Sequence, residues 1–138
     1  MSESDVLGID LGTTNSLVAV LRDDGPCVLR DPEGEALLPS VVAIDDDGTL
    51  LVGAAARALL EWRPERGVRG FKRDMGTDRR YSFAGRNLGA TELSALVLRE
   101  IKARAEVALG HTVRRAVITV PAYFQEPQRA ATREAGQL

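Results

Sequence analysis

The feature that most constrains this chain is Gly8-Ile9-Asp10-Leu11-Gly12-Thr13-Thr14-Asn15-Ser16-Leu17-Val18-Ala19-Val20. An apolar run enters, a tight turn at Gly12 to Asn15 interrupts it, and a second apolar run leaves. Such a pattern folds as strand, turn, strand, and the chemistry is concentrated in the turn. Gly12 permits backbone angles closed to other residues and a close approach to the main chain. Thr13 and Thr14 add hydroxyls, and successive backbone N–H groups in a turn of this kind form a concavity for an anion. Asp10 precedes the turn and faces whatever the turn holds; a carboxylate beside a phosphate makes sense mainly with a hard cation between them. Two readings stay open on these residues: an ordinary hairpin whose Asp and Thr satisfy the turn, or a phosphate site.

The rest of the composition narrows the choice. At 138 residues and 44% hydrophobic content the chain is long enough for one packed domain. A net charge of −2 argues against nucleic-acid binding driven by phosphate contacts. The charge is unevenly spread. Residues 23–47 carry eight acids against Arg30 alone, and residues 63–80 carry seven bases against three acids. The basic run is either a solvated face or one wall of an anion pocket. Cys27 alone excludes an internal disulfide and suits a reducing compartment, and His111 alone cannot build a metal site. No signal peptide is visible at residues 1–6, and no apolar run approaches a membrane span. A soluble, cytoplasmic protein is expected, with no nucleic-acid or membrane partner.

Turn signals organise the rest of the chain. Arg22-Asp23-Asp24-Gly25 separates the second strand from a third at residues 26–31, and residues 38–44 read as a fourth with Pro39 at its start. Asp45-Asp46-Asp47-Gly48 lacks the spacing of a calcium loop, since Leu50 and Ala56 stand where Gly and Glu are needed. A short strand at residues 50–52 leads to a helix from Ala54 to about Trp62, stopped by Pro64, with Trp62 expected to pack. Residues 63–89 read as loop with one or two short strands or turns.

The clearest helix is predicted over residues 92–109, with Thr91 as N-cap and Gly110 as terminator. Its core face would be Leu93, Leu96, Val97, Ile101, Ala105 and Ala108, with pairs Glu100–Arg104 and Lys102–Glu106 on the other faces. Residues 116–120 read as a strand covered on both faces, ended by Pro121. A last helix begins near Pro127 and is still running at Leu138, which suggests part of a longer protein.

Four blocks taken together resemble the nucleotide-binding domain of the DnaK-type heat-shock 70 chaperones. They are the opening motif, then Pro39-Ser40, then Phe71-Lys72-Arg73-Asp74-Met75-Gly76, then Val117-Ile118-Thr119-Val120-Pro121-Ala122-Tyr123-Phe124 with Gln128-Arg129 and Ala135-Gly136. They fall in the family's order and cover nearly the whole chain. The third block and Glu92-Leu93-Ser94-Ala95-Leu96-Val97-Leu98-Arg99 look most like the HscC branch of bacterial specialised chaperones. Sugar kinases and filament proteins share only the short Asp-Leu-Gly-Thr-Thr run.

The resemblance implies an α/β, actin-like ATPase fold of ribonuclease-H-like strands, here the first part of lobe I. A base subdomain would span about residues 1–52 and 115–138, and a shortened outer one about 53–114. ATP or ADP and Mg are the implied cofactors. Asp10 matches the aspartate that holds magnesium through water, and Gly12, Thr13, Thr14 and Asn15 match the first phosphate loop. Lys72 matches the lysine that positions the attacking water and neutralises charge at the γ-phosphate. Pro121 and Arg129 match a relay to the substrate-binding domain.

The implied function is an ATP-hydrolysing chaperone in protein folding and stress response. Client polypeptides and a J-domain co-chaperone are the implied partners. Two departures stand out. The chain is short between Tyr81 and Thr91, which implies lost strands there, and half of the site is missing, so hydrolysis by this chain alone is expected to be negligible. Apolar surface left uncovered predicts self-association. The other readings are a different actin-like ATPase, or a non-enzymatic half-domain that only binds.

Overall fold

A computed structural model describes residues 5–138. The opening motif folds as an antiparallel hairpin, β1 (Val6–Leu11) and β2 (Asn15–Arg22), in which Leu11 stands opposite Ser16. Leu7, Ile9, Leu11, Val18 and Val20 are buried, while Gly8 and Asp10 point to the other, exposed side. The alternation has period two, so one face of the hairpin is core and Asp10 is left at the surface. β3 (Gly25–Val28) pairs with β2, shorter than the strand expected over residues 26–31.

The strand expected over residues 38–44 is in fact two. β4 (Leu38–Pro39) pairs with β2, and β5 (Val41–Ile44) joins a second sheet between β6 (Leu50–Val52) and β7 (Gly67–Arg69). Ser40 is the break. Its backbone N–H donates to Thr14 O at 2.9 Å and its hydroxyl to Gly12 O at 2.8 Å, so its hydrogen bonds go to the turn instead of a strand partner.

Helix α1 (Ala54–Trp62) lies on β5. Ala56 and Leu60 are buried with Val41 and Ala43, whereas Trp62 is 85% exposed, so its expected packing role is wrong. Two residues past Leu60 is about 200° round the helix, which turns Trp62 away from the sheet. Residues 63–89 hold more order than expected: two short 3-10 turns (Pro64–Arg66 and Phe71–Asp74), β7, and a hairpin of β8 (Arg80–Phe83) and β9 (Arg86–Gly89). That hairpin occupies the short stretch before the long helix.

Helix α2 (Ala90–Leu109) starts earlier than predicted. Gly89, not Thr91, is the N-cap: its N–H donates to Glu92 Oε1 at 3.0 Å, which satisfies one of the free donors at the helix start. Leu93, Val97, Ile101 and Ala105 form the core face as expected, joined by Ser94, Ala95, Leu98 and Leu109; Ala108 is exposed. Neither expected i,i+4 pair forms. Arg104 instead reaches Asp31 (3.6 Å) and the carbonyls of Glu35 and Ala36 (both 3.3 Å), and Glu106 accepts the N–H of Val113 at 2.9 Å. Longer-range partners win because they fix loops that would otherwise leave polar backbone groups unmatched. Gly110 ends α2 in the left-handed region at φ 80°.

β10 (Arg115–Thr119) pairs parallel with β1 and is the outer strand of the first sheet among the described residues, in the order β10-β1-β2-β3. Coverage on both faces was the expectation, yet only Ile118 is half-buried and Val117 is 63% exposed. The apolar run is there, but within this chain little packs over it. α3 (Glu126–Gln137) has Gln125 as N-cap and Glu126, one residue before Pro127, as its first residue. It packs against α2, and no helix among the described residues is long and apolar enough to cross a membrane.

Candidate functional site

The turn between β1 and β2 is held from behind by buried hydroxyls. Ser40 Oγ donates to Gly12 O, so the Ser16 hydroxyl 2.9 Å away is the donor to Ser40 Oγ. Both serines are almost fully buried. The requirement at Gly12 is space, since its φ is not positive. A Cβ there would stand 2.1 Å from Asn15 O, inside any contact distance. The close approach expected at Gly12 is therefore the turn's own backbone closing on itself.

Asp10 is exposed on β1 opposite Thr119 of β10. Thr119 Oγ1 lies 3.3 Å from Asp10 Oδ1 and 3.4 Å from Ile9 O, so a hydroxyl from the neighbouring strand steadies the carboxylate. No ion pair engages Asp10 among the described residues. One free carboxylate beside a threonine-rich turn is a donor set suited to a hard cation that completes its shell with water and phosphate oxygens.

Lys72 is 7% exposed, whereas Arg73 next to it is exposed. At Lys72, though not at Arg73, the basic run is therefore not a solvated face. Gly70, left-handed at φ 70°, starts the 3-10 turn that carries Lys72, and buried Phe71 and Met75 anchor it on either side. The Lys72 Nζ donates to Leu11 O at the mouth of the turn and sits 5.7 Å over the Phe124 ring. Burial lowers the Lys72 pKa from its ordinary 10.5, while the nearby Asp10 charge acts in the opposite sense.

Phe124 is the residue that sequence reasoning missed. Besides facing Lys72, it donates its N–H to Pro121 O at 3.0 Å and accepts from Arg129 Nε at its carbonyl at 3.2 Å. Lys72, Pro121 and Arg129, 57 positions apart at the extremes, therefore meet through one phenyl residue. Its only sequence signal is an aromatic between a proline and a helix start. Thr119, Ser16 and Ser40 stand in blocks of the resemblance, but their partners were equally hidden, since a hydroxyl in an apolar run does not disclose what it bonds.

The structure thus brings Asp10, residues 12–15 and Lys72 to one end of the first sheet, with Pro121 and Arg129 linked to it through Phe124. The class these features define is an α/β domain built on a mixed sheet, with an anion-suited turn flanked by a carboxylate and a buried lysine. A family description, Hsp70 protein, matches residues 6–82 and 79–138 of the chain. The chain belongs to the Hsp70 family, whose members have the actin-like ATPase fold, bind ATP and ADP, and act as chaperones on client polypeptides with J-domain co-chaperones.

Proposed function

We propose that this chain is the first part of the nucleotide-binding domain of an ATP-hydrolysing chaperone of the DnaK type, nearest the HscC branch. The observation that carries the reading is the buried Lys72 ammonium bonded to Leu11 O beside the turn, near enough to Asp10 to feel its charge. In this reading the base subdomain is about residues 1–52 and 115–138, the outer subdomain is 53–114, and the protein is cytoplasmic.

The residues have distinct tasks. The backbone N–H groups of the 12–15 turn and the hydroxyls of Thr13 and Thr14 would bind phosphate oxygens. Asp10, steadied by Thr119, would hold a magnesium ion through its water shell, and that ion would supply charge neutralisation on the phosphates. Lys72 would bring a positive charge to the terminal phosphate and orient water beside it. A lysine already partly stripped of water acts more strongly on a neighbouring anion than a solvated one. Through Phe124, a shift of Lys72 would be felt at Pro121 and Arg129, the relay towards a substrate-binding domain.

The test is ATP titration of the full-length protein with and without magnesium, for the wild type and Asp10→Asn. Asp10→Asn should weaken binding in magnesium and leave metal-free binding almost unchanged. Equal losses in both conditions would make Asp10 a structural residue and remove the basis of this reading.

A further inference from the structure

Beside the 12–15 turn, and separate from Asp10 and Lys72, lies a pocket of about 200 Å³. One wall is Thr13, Thr14 and Asn15. Three arginines from three elements also line it: Arg57 on α1, Arg69 on β7 and Arg73 on the 3-10 turn that also carries Lys72. No acidic side chain lines it. None of the three arginines has an ion-pair partner among the described residues, although five other arginines do. The nearest acids in the adjoining depression, which Arg57 also borders, are Asp31 and Glu35, and Asp31 is engaged by Arg104. Gly70 leaves open the space beneath Arg73, whose Nη1 lies 3.8 Å from where a Cβ would stand.

Like charges converge at a cost unless an anion completes them. A guanidinium presents a planar fork of donors that matches the oxygens of a phosphoryl group. At about 30 Å³ per water, the pocket has room for roughly six waters, enough for a phosphate or a diphosphate. The uneven charge of the sequence has a physical outlet here, since Arg69 and Arg73 belong to its basic run.

We infer that this pocket is a second anion site, taking a tetrahedral phosphate group on the arginine side of the turn. It shares Thr13 and Thr14 with the turn of the proposed function, but its charge comes from the three arginines and from neither Asp10 nor Lys72. The phosphate can come from free orthophosphate or from the phosphoryl end of a larger ligand, and the two are separable by experiment.

The experiment is calorimetric titration of the full chain at low salt with sodium pyrophosphate and, separately, orthophosphate. The amide resonances of Thr13 and Thr14 are followed in parallel. Saturable binding is expected, weakened about tenfold by each of Arg57→Gln and Arg69→Gln. Both side chains are exposed, so the variants should keep the wild-type circular dichroism. Arg86→Gln, at an exposed arginine outside the pocket, should leave binding unchanged. Orthophosphate binding would identify free phosphate as a ligand; binding of pyrophosphate alone would identify the end of a larger one. No saturable binding, an equal loss with Arg86→Gln, or binding that depends on Asp10 and not on Arg57 and Arg69 would overturn the inference. Failure of ATP binding with pyrophosphate binding intact would instead overturn the proposed function and leave this site standing.

Discussion

At the scale of single residues, Gly12 and Lys72 carry the tightest constraints. Gly12→Ala forces a Cβ against Asn15 O, both fixed by the hairpin and by Ser40, so the turn must open. The expected loss is about 1–3 kcal/mol in urea unfolding. Gly8→Ala is the control: the nearest atom to its Cβ would be 3.9 Å away, and its stability should hardly change. Burial works against the charge on Lys72 and lowers its pKa. Because its folded pKa lies below 10.5, the unfolded chain binds more protons in the window between the two values. The Lys72 contribution to stability therefore rises with pH across that window. Unfolding measured from pH 7 to 10 should show the wild type gaining on Lys72→Met as pH rises. A constant difference would mean that the ammonium suffers no loss of hydration on folding.

At the scale of elements, capping decides where α2 starts and what it holds in place. The carboxylate of Glu92 caps Gly89 and also pairs with Arg80 at 3.0 Å, with both side chains about half exposed. The cap is the larger effect, since exposed pairs contribute little. Glu92→Ala should lower stability by about 0.5–1 kcal/mol, and Glu92→Gln, which keeps the acceptor, by much less. Thermal unfolding of the two variants decides, and equal losses would assign the effect to the ion pair. Gly76 plays a comparable part between elements. Its φ is 80°, and a Cβ there would stand 3.0 Å from the backbone of Pro127 and Gln128, so only a glycine lets the Lys72 segment sit against the start of α3.

At the scale of the whole molecule, the surface is unevenly finished. Among the described residues no strand pairs with the outer edge of β10, and Val117 (63%), Tyr123 (77%) and Trp62 (85%) are exposed. An open edge with apolar side chains is a template for pairing. The chain should sediment faster as its concentration rises, and Val117→Lys should shift it towards monomer. A single concentration-independent species in the wild type would rule this out.

What the sequence determined by itself is the hairpin, its turn and the three helices. Period-two and helical alternation and glycine punctuation are local, and local rules act over a few residues. Its errors share a cause. Trp62, the Glu100–Arg104 and Lys102–Glu106 pairs, Thr91 as N-cap and the covered strand at residues 116–120 all depended on which distant surface stood opposite. Ser40 shows it most plainly: in the sequence it is one polar residue within an apolar run. Only the folded chain, by placing it against Gly12 and Thr14, makes it the support of the turn. The same holds for Lys72. Its neighbours in sequence mark it weakly, but its burial, its bond to Leu11 O and its place over Phe124 arise from segments dozens of residues away, which packing alone brings together.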